Sequence, residues 1–207
     1  MKIQFKLFLV TLISIAVTSC GGKDTVKLTA GEEGHDKLKQ LVVDQFGGDR
    51  EVFRINFSAS DDLDASIGFI TLTYLKDGKL YSQAYNGSLR DEAMRLGEEE
   101  INKYNQTEIS IQKSQGKLKV SDLDLTAINK DAELILLELD DDFSEYSIRS
   151  YAINVAPKTN ELSSVIKIQY TPTEGATSLE GKSIVTNYYE VQAEINAAGD
   201  ITYKEQN

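Results

Sequence analysis

The chain has one cysteine, one histidine, two prolines and no tryptophan in 207 residues. Each scarcity removes something. A lone cysteine leaves no disulfide, so stability must come from a buried core. It also leaves no His/Cys cluster for zinc. With His35 the only histidine, any Ser-His-Asp or Cys-His arrangement would have to be built on that residue. Two prolines argue against a Pro-rich stalk. The missing tryptophan takes away a side chain that sugar platforms commonly use beside tyrosine. Basic charge is also short: 22 Lys and Arg stand against 33 Asp and Glu, a formal charge of −11. That balance denies the basic footprint nucleic acid needs and disfavours electrostatic adhesion to anionic headgroups.

Nucleotide and nucleophile motifs are missing too. No G-x-S-x-G, G-x-x-x-x-G-K-[ST] or G-x-G-x-x-G occurs. Ser110-Ile-Gln-Lys113 spells S-x-x-K, but the same letters recur at 114–117 and 164–167. The S-D-N and K-T-G motifs that give S-x-x-K its meaning do not accompany it, so all three matches are chance.

What the chain does have begins at its N-terminus. Lys2 and Lys6 precede a charge-free run, Leu7 to Val17. It is too short for a membrane-spanning helix, which needs about 20 apolar residues, and has the length of a signal-peptide h-region. The run ends in Val17-Thr18-Ser19-Cys20-Gly21-Gly22, which resembles a bacterial lipobox with the serine common in Bacteroidetes. Gly21-Gly22-Lys23-Asp24 resembles that group's signal for export to the cell surface. The resemblance implies a signal peptide over 1–19, and a Cys20 lipidated on sulfur and acylated as the new N-terminus. It further implies a lipid-anchored place on the outer membrane, displayed outward, with the periplasmic face as the alternative. A single acyl chain binds a membrane marginally, whereas two or more anchor it stably. The competing reading is an ordinary secretory signal cleaved near Ala16-Val17-Thr18, with Cys20 left a free thiol. Removing 1–19 takes away Lys2 and Lys6 and no acid, leaving 188 residues with a formal charge of −13.

Residues 20–34 read as the lipidated cysteine and a flexible tether. Asp24-Thr25-Val26 also resembles a short O-glycosylation acceptor, a weak signal beside a plain linker. The body, 35–207, reads as one α+β domain in which antiparallel sheet packs against two or three helices. The spacing of Leu38, Leu41, Val42 and Phe46 predicts a helix over 35–46, stopped by Gly47-Gly48. Glu51 to Ser58 predicts a strand. Ser66 to Tyr85 predicts a hairpin turning at Asp77-Gly78. A helix is expected from Ser88 to Tyr104, and a hairpin from Ile109 to Val120 about Gly116. Ser121 to Asp142 reads as a helix ended by acids, with a buried strand over Leu134 to Leu139 as the alternative. Strands follow over 146–155, 163–170 and 184–195, with a loop over 172–182 and a short last strand at 201–203. Helix followed by strands occurs twice, which suggests halves at 35–120 and 121–207, with no residue-level repeat behind them.

The candidate chemistry is carboxylate. Asp61, Asp62 and Asp64 alternate as calcium loops do, but the sixth and twelfth positions from Asp62 are Ile67 and Thr73 instead of Gly and Glu. Asp140, Asp141 and Asp142, with Glu145, form the second cluster, and a solvated acidic loop accounts for either one equally well. No cofactor is indicated. His35 reads as an exposed helix-start residue. Tyr81, Tyr85, Tyr151, Tyr188 and Tyr189 form a candidate row of exposed rings, with packing as the alternative. The expectation is a non-enzymatic binding or accessory lipoprotein, held to the membrane through Cys20, that engages a protein or glycan and no nucleic acid. The alternatives are a hydrolase working through two carboxylates, calcium-assisted or not, and a structural envelope protein.

Overall fold

The computed structural model describes residues 26–28, 31–103, 105–139, 143–173, 177–180 and 183–204. Its first helix, α1, spans Glu32–Phe46 and buries Leu38, Val42 and Phe46. Gly47 follows with φ 86°, and its N–H reaches Val43 O at 2.9 Å, which closes the last turn. The helix starts three residues before His35, with Glu32 and Glu33 in the first turn, where carboxylates oppose the positive helix end. Two expectations fail here for one reason: Val26 to Leu28 forms a strap. Leu28 is fully buried, its N–H donates to Ala65 O at 2.8 Å, and Ile67 N–H donates to Val26 O at 2.9 Å. The tether expected to run to Gly34 therefore joins the fold at Val26. The strap also covers His35, which is 3% exposed, with Nε2 3.4 Å from Leu28 O.

After α1 come β1 (Glu51–Val52), β2 (Arg54–Ala59), β3 (Ile67–Lys76) and β4 (Lys79–Asn86). Asp77 and Gly78 both take positive φ, 50° and 71°, as the predicted primed turn demands. The helix expected over 88–104 is absent. A single 3-10 turn, Glu92–Met94, leads to the edge strand β5 (Glu100–Ile101). Local propensity there is weak at Gly97 and among the acids that follow it, and the open side of β4 offers backbone partners instead. Asn86 N–H donates to Arg95 O at 2.7 Å and Gly97 N–H to Ala84 O at 2.8 Å. The hairpin expected over 109–120 is absent as well. Thr107 caps a short helix, α2 (Glu108–Lys113), by accepting from Ser110 N–H, and β6 (Leu118–Lys119) pairs with β1.

A 3-10 turn at Val120–Asp122 precedes α3 (Ala127–Leu137), the core of the helix predicted over 121–142. Then follow β7 (Phe143–Val155), β8 (Leu162–Pro172), β9 (Thr177–Glu180), β10 (Ser183–Thr186), β11 (Tyr189–Ile195) and β12 (Ile201–Tyr203). The expected loop at 172–182 and strand at 184–195 are divided differently: β9 and β10 pair as a separate ribbon, and β11 starts only at Tyr189.

The protein is α+β. Eight strands make one antiparallel sheet in the order β12-β11-β8-β7-β2-β3-β4-β5. Each of α1 and α3 leads into a strand at the sheet centre, and from there a meander runs outward. The two meanders meet where β2 pairs with β7, Phe57 opposite Tyr151 and Ile55 opposite Ile153. Those four side chains, with Ile70, Leu72, Ile166, Ile168, Ala193 and Ile195, share one face and one core cluster with the apolar sides of both helices. Strand alternation puts Asn56, Ser58, Thr71, Thr73, Ser82, Ser150, Asn154 and Lys167 on the opposite face, all half-exposed.

Candidate functional site

The most enclosed chemistry lies at the N-terminal half of α3. Asp124 organises the entry: its Oδ1 accepts from Thr126 Oγ1–H at 2.6 Å and from Thr126 N–H at 3.0 Å. The hydroxyl bond, then the amide bond, hold this carboxyl below the usual range, with lesser help from the charges of Lys39 and His35. The helix then buries Ile128, Ala132 and Ile135, and the fourth member of that stripe is Asp131, only 8% exposed. It lies over the start of β8. Tyr151 OH donates to Asp131 Oδ2 at 2.7 Å and Ser164 Oγ–H donates to the same oxygen at 2.6 Å. Burial, then the adjacent Asp131 charge, push the Tyr151 hydroxyl far above its ordinary range. A cleft of about 280 Å³ opens beside this group, bounded by α3, the first residues of β8 and the turn at Asn196 to Gly199.

The raised tyrosine fixes a sign. Because the unfolded chain ionises at its ordinary pKa of about 10 and the folded chain above it, the Tyr151 contribution is complete below that pH and is lost as pH rises further. Tyr74 and Tyr203, each pushed up to about 12, mainly by burial, act in the same direction. Denaturant midpoints measured between pH 9 and 11.5 should fall for the natural chain and fall less steeply for Tyr151→Phe. Parallel curves would refute the assignment.

Asp131 was not among the sequence candidates, although a signal existed: an acid on the 128/131/132/135 stripe of an otherwise apolar helix face. The candidates that were named stand elsewhere. Asp61 Oδ1 accepts from Asp62 N–H at 2.9 Å. Asp62 accepts from Gln169 Nε2 and from Tyr188 OH, both at 2.9 Å, with Arg149 Nε 3.4 Å away. These contacts, Gln169 first, hold its carboxyl below the usual range. Asp64 caps Ser66 N–H at 2.9 Å. The three acids therefore turn to separate partners, and Arg149 stands where a cation would meet Asp62. Among the described residues no three His, Cys, Asp or Glu side chains group as a metal site would. Asp140, Asp141, Asp142 and Cys20 lie outside the described residues. Glu145 is exposed on β7.

The tyrosine row does not form. Tyr85 and Tyr151 are buried, and Tyr81 stacks on Tyr74 with centroids 6.0 Å apart. Tyr188 is exposed but tied to Asp62, and Tyr189 is exposed against Tyr170. His35 has its side-chain hydrogen bond with a backbone carbonyl, not with a serine. A hydrolase using two acids calls for convergent carboxylates, one of them raised. In the cleft, Asp124 is instead held low by its bond to Thr126.

An α+β domain with a one-sided helical cover and a carboxylate cleft is thus defined by its own geometry. Compared with protein-family models, curated proteins and solved structures, the chain matches none.

Proposed function

We propose that this is a lipid-anchored outer-membrane protein, displayed on the cell surface through Cys20, whose sheet docks a protein partner without catalysing a reaction. The observation that carries the reading is the polar face of the eight-stranded sheet. Its central part, on β2, β3, β4 and β7, is built largely of small Ser, Thr, Asn and Ala side chains that leave a broad, shallow surface. Near its middle Arg54 is exposed and makes no ion pair among the described residues, and Phe69 is 42% exposed. Arginine and aromatic residues on a surface of low relief are the usual anchors of protein interfaces. A surface of that breadth suits a macromolecule better than a small substrate, which favours a concave pocket. The acidic body, −13 once residues 1–19 are removed, favours a basic partner surface.

The test is photo-crosslinking from single positions on living cells. Thr71 and Ser82, on the polar face, should capture the same protein, and Gln40, exposed on α1, should capture none. Capture indifferent to position, or no capture, would sink the docking role. The anchor is tested separately. Cys20→Ala should lose fatty-acid label and leave the membrane fraction, and a variant that stays labelled and membrane-bound would refute the lipidation.

A further inference from the structure

We infer that the cleft beside α3 receives a primary alkylammonium group, such as the end of a lysine side chain. The cleft lies on the helical side of the sheet, away from the polar face, so this site is separate from the docking surface proposed above. Its starting point is Asp131. The side chain is 8% exposed, yet both hydroxyls that reach it, from Tyr151 and Ser164, land on Oδ2. Oδ1 takes no hydrogen bond, and the carboxylate has no ion pair among the described residues. Buried carboxylates are ordinarily paired with a cation or fully supplied with donors. Here one oxygen has neither among the described residues, and it is not one of the fully enclosed unpartnered atoms, so it is open to the cleft. Its helical neighbour Lys130 is exposed and also lines the cleft, but makes no ion pair with Asp131 among the described residues, and adjacent residues on a helix do not face each other.

The cleft supplies the route for an outside partner. Asp131 lines it, and with Oδ2 engaged by β7 and β8, Oδ1 is what the side chain has left to offer there. At about 280 Å³ the space far exceeds that of one water. Leu134, Ile153, Leu162 and Ile195 stand among its lining, an aliphatic sheath ending in a carboxylate. That sequence of surfaces matches a methylene stem ending in an ammonium. A guanidinium is a poorer fit, because its planar fork is used fully only by two free acceptors, and one is free. A sugar ring is poorer still: the only aromatic lining the cleft, Tyr151, is 1% exposed and offers no ring face. Asp124, exposed at the same cleft, adds a second negative charge near its mouth.

The probe is n-butylammonium, titrated into the full chain in non-ionic detergent with Ile and Leu methyl groups observed by NMR. The methyls of Leu134, Ile153, Leu162 and Ile195 should shift saturably with a low-millimolar midpoint, reasonable for five heavy atoms. 1-Butanol, of the same length without charge, should bind at least tenfold more weakly. Asp131→Asn, which keeps an acceptor for the two hydroxyls, should weaken the ammonium at least tenfold. No cleft shift, equal binding of the alcohol, or an Asn variant that binds as the natural chain does would each overturn the site. The alcohol comparison needs no variant, so a poorly folded mutant does not spoil it. The titration contains no partner, so its failure leaves the docking role to the crosslinks. A positive titration without crosslinks keeps the ammonium site and removes the role.

Discussion

Gly116→Ala should destabilise the protein by about 3 kcal/mol, within the upper part of the range for forced overpacking. At this chain length that is roughly 6–12 °C in Tm. The reason is a close crossing of two backbone segments. A Cβ on residue 116 would stand 2.3 Å from Val155 O, 2.7 Å from Val155 C and 2.9 Å from Ala156 O. Those are backbone atoms of the β7 end and cannot rotate away. Val155 N–H is bonded to Phe53 O at 2.9 Å, so displacing it strains the sheet beside the β2–β7 seam. The alternative is for the segment between α2 and β6 to lift off, losing the β1–β6 ladder. Gly48→Ala is the matched control, since its added carbon would meet Ser121 Cβ at an ordinary 3.5 Å. Urea midpoints compare the two. Equal, small losses would show that the crossing relaxes freely.

Asp131→Ala is the second large effect, expected to cost about 2–4 kcal/mol. Two buried hydroxyls, Tyr151 OH and Ser164 Oγ, would lose their common acceptor, at about 1–3 kcal/mol for each stranded group. Relief from burying a charge offsets part of that. The same logic gives the opposite sign for a concerted change. In Asp131→Leu/Tyr151→Phe/Ser164→Ala no polar atom is left behind, and an apolar side chain extends the Ile128/Ala132/Ile135 stripe. The triple variant should recover most of the loss and could exceed the natural stability, as other buried polar groups have shown when replaced together. A triple variant less stable than Asp131→Ala would mean that the carboxylate stabilises the fold by more than satisfying those two hydroxyls.

Where local pattern and tertiary need agree, the sequence could be read directly. The α1 stripe, the Asp77-Gly78 turn, the helix at α3 and the strands that became β7, β8 and β12 all rest on short-range rules. The α+β class follows from them. The misreadings concern segments whose partners local spacing does not reveal. The stretch from Ser88 to Ile101 has helical spacing, but the vacant side of β4 claims its backbone. The segment around Ile109 alternates as a strand would, yet it is pinned by the Gly116 crossing to a strand end some 40 residues later. His35 seemed exposed because nothing local says that Val26 to Leu28 will fold back over it. At the candidate site the sequence offered many acids and no means of ranking them. Only packing shows that Asp131 is buried and that Asp61, Asp62 and Asp64 face separate partners.

The strap also sets a distance. With lipid on Cys20, as proposed, six residue steps reach Val26, where the fold takes hold. Six extended residues span at most about 20 Å, against roughly 50 Å had the tether run to Gly34. A domain of this length is about 40 Å across, judged from its expected radius of gyration. The leash is therefore about half the width of the body it holds. Held in this way, such a body would not tumble freely above the bilayer. It would stay beside the headgroups with the strap end downward, so a partner would reach it from the side or from above, and the lipid surface would restrict which orientations of approach succeed.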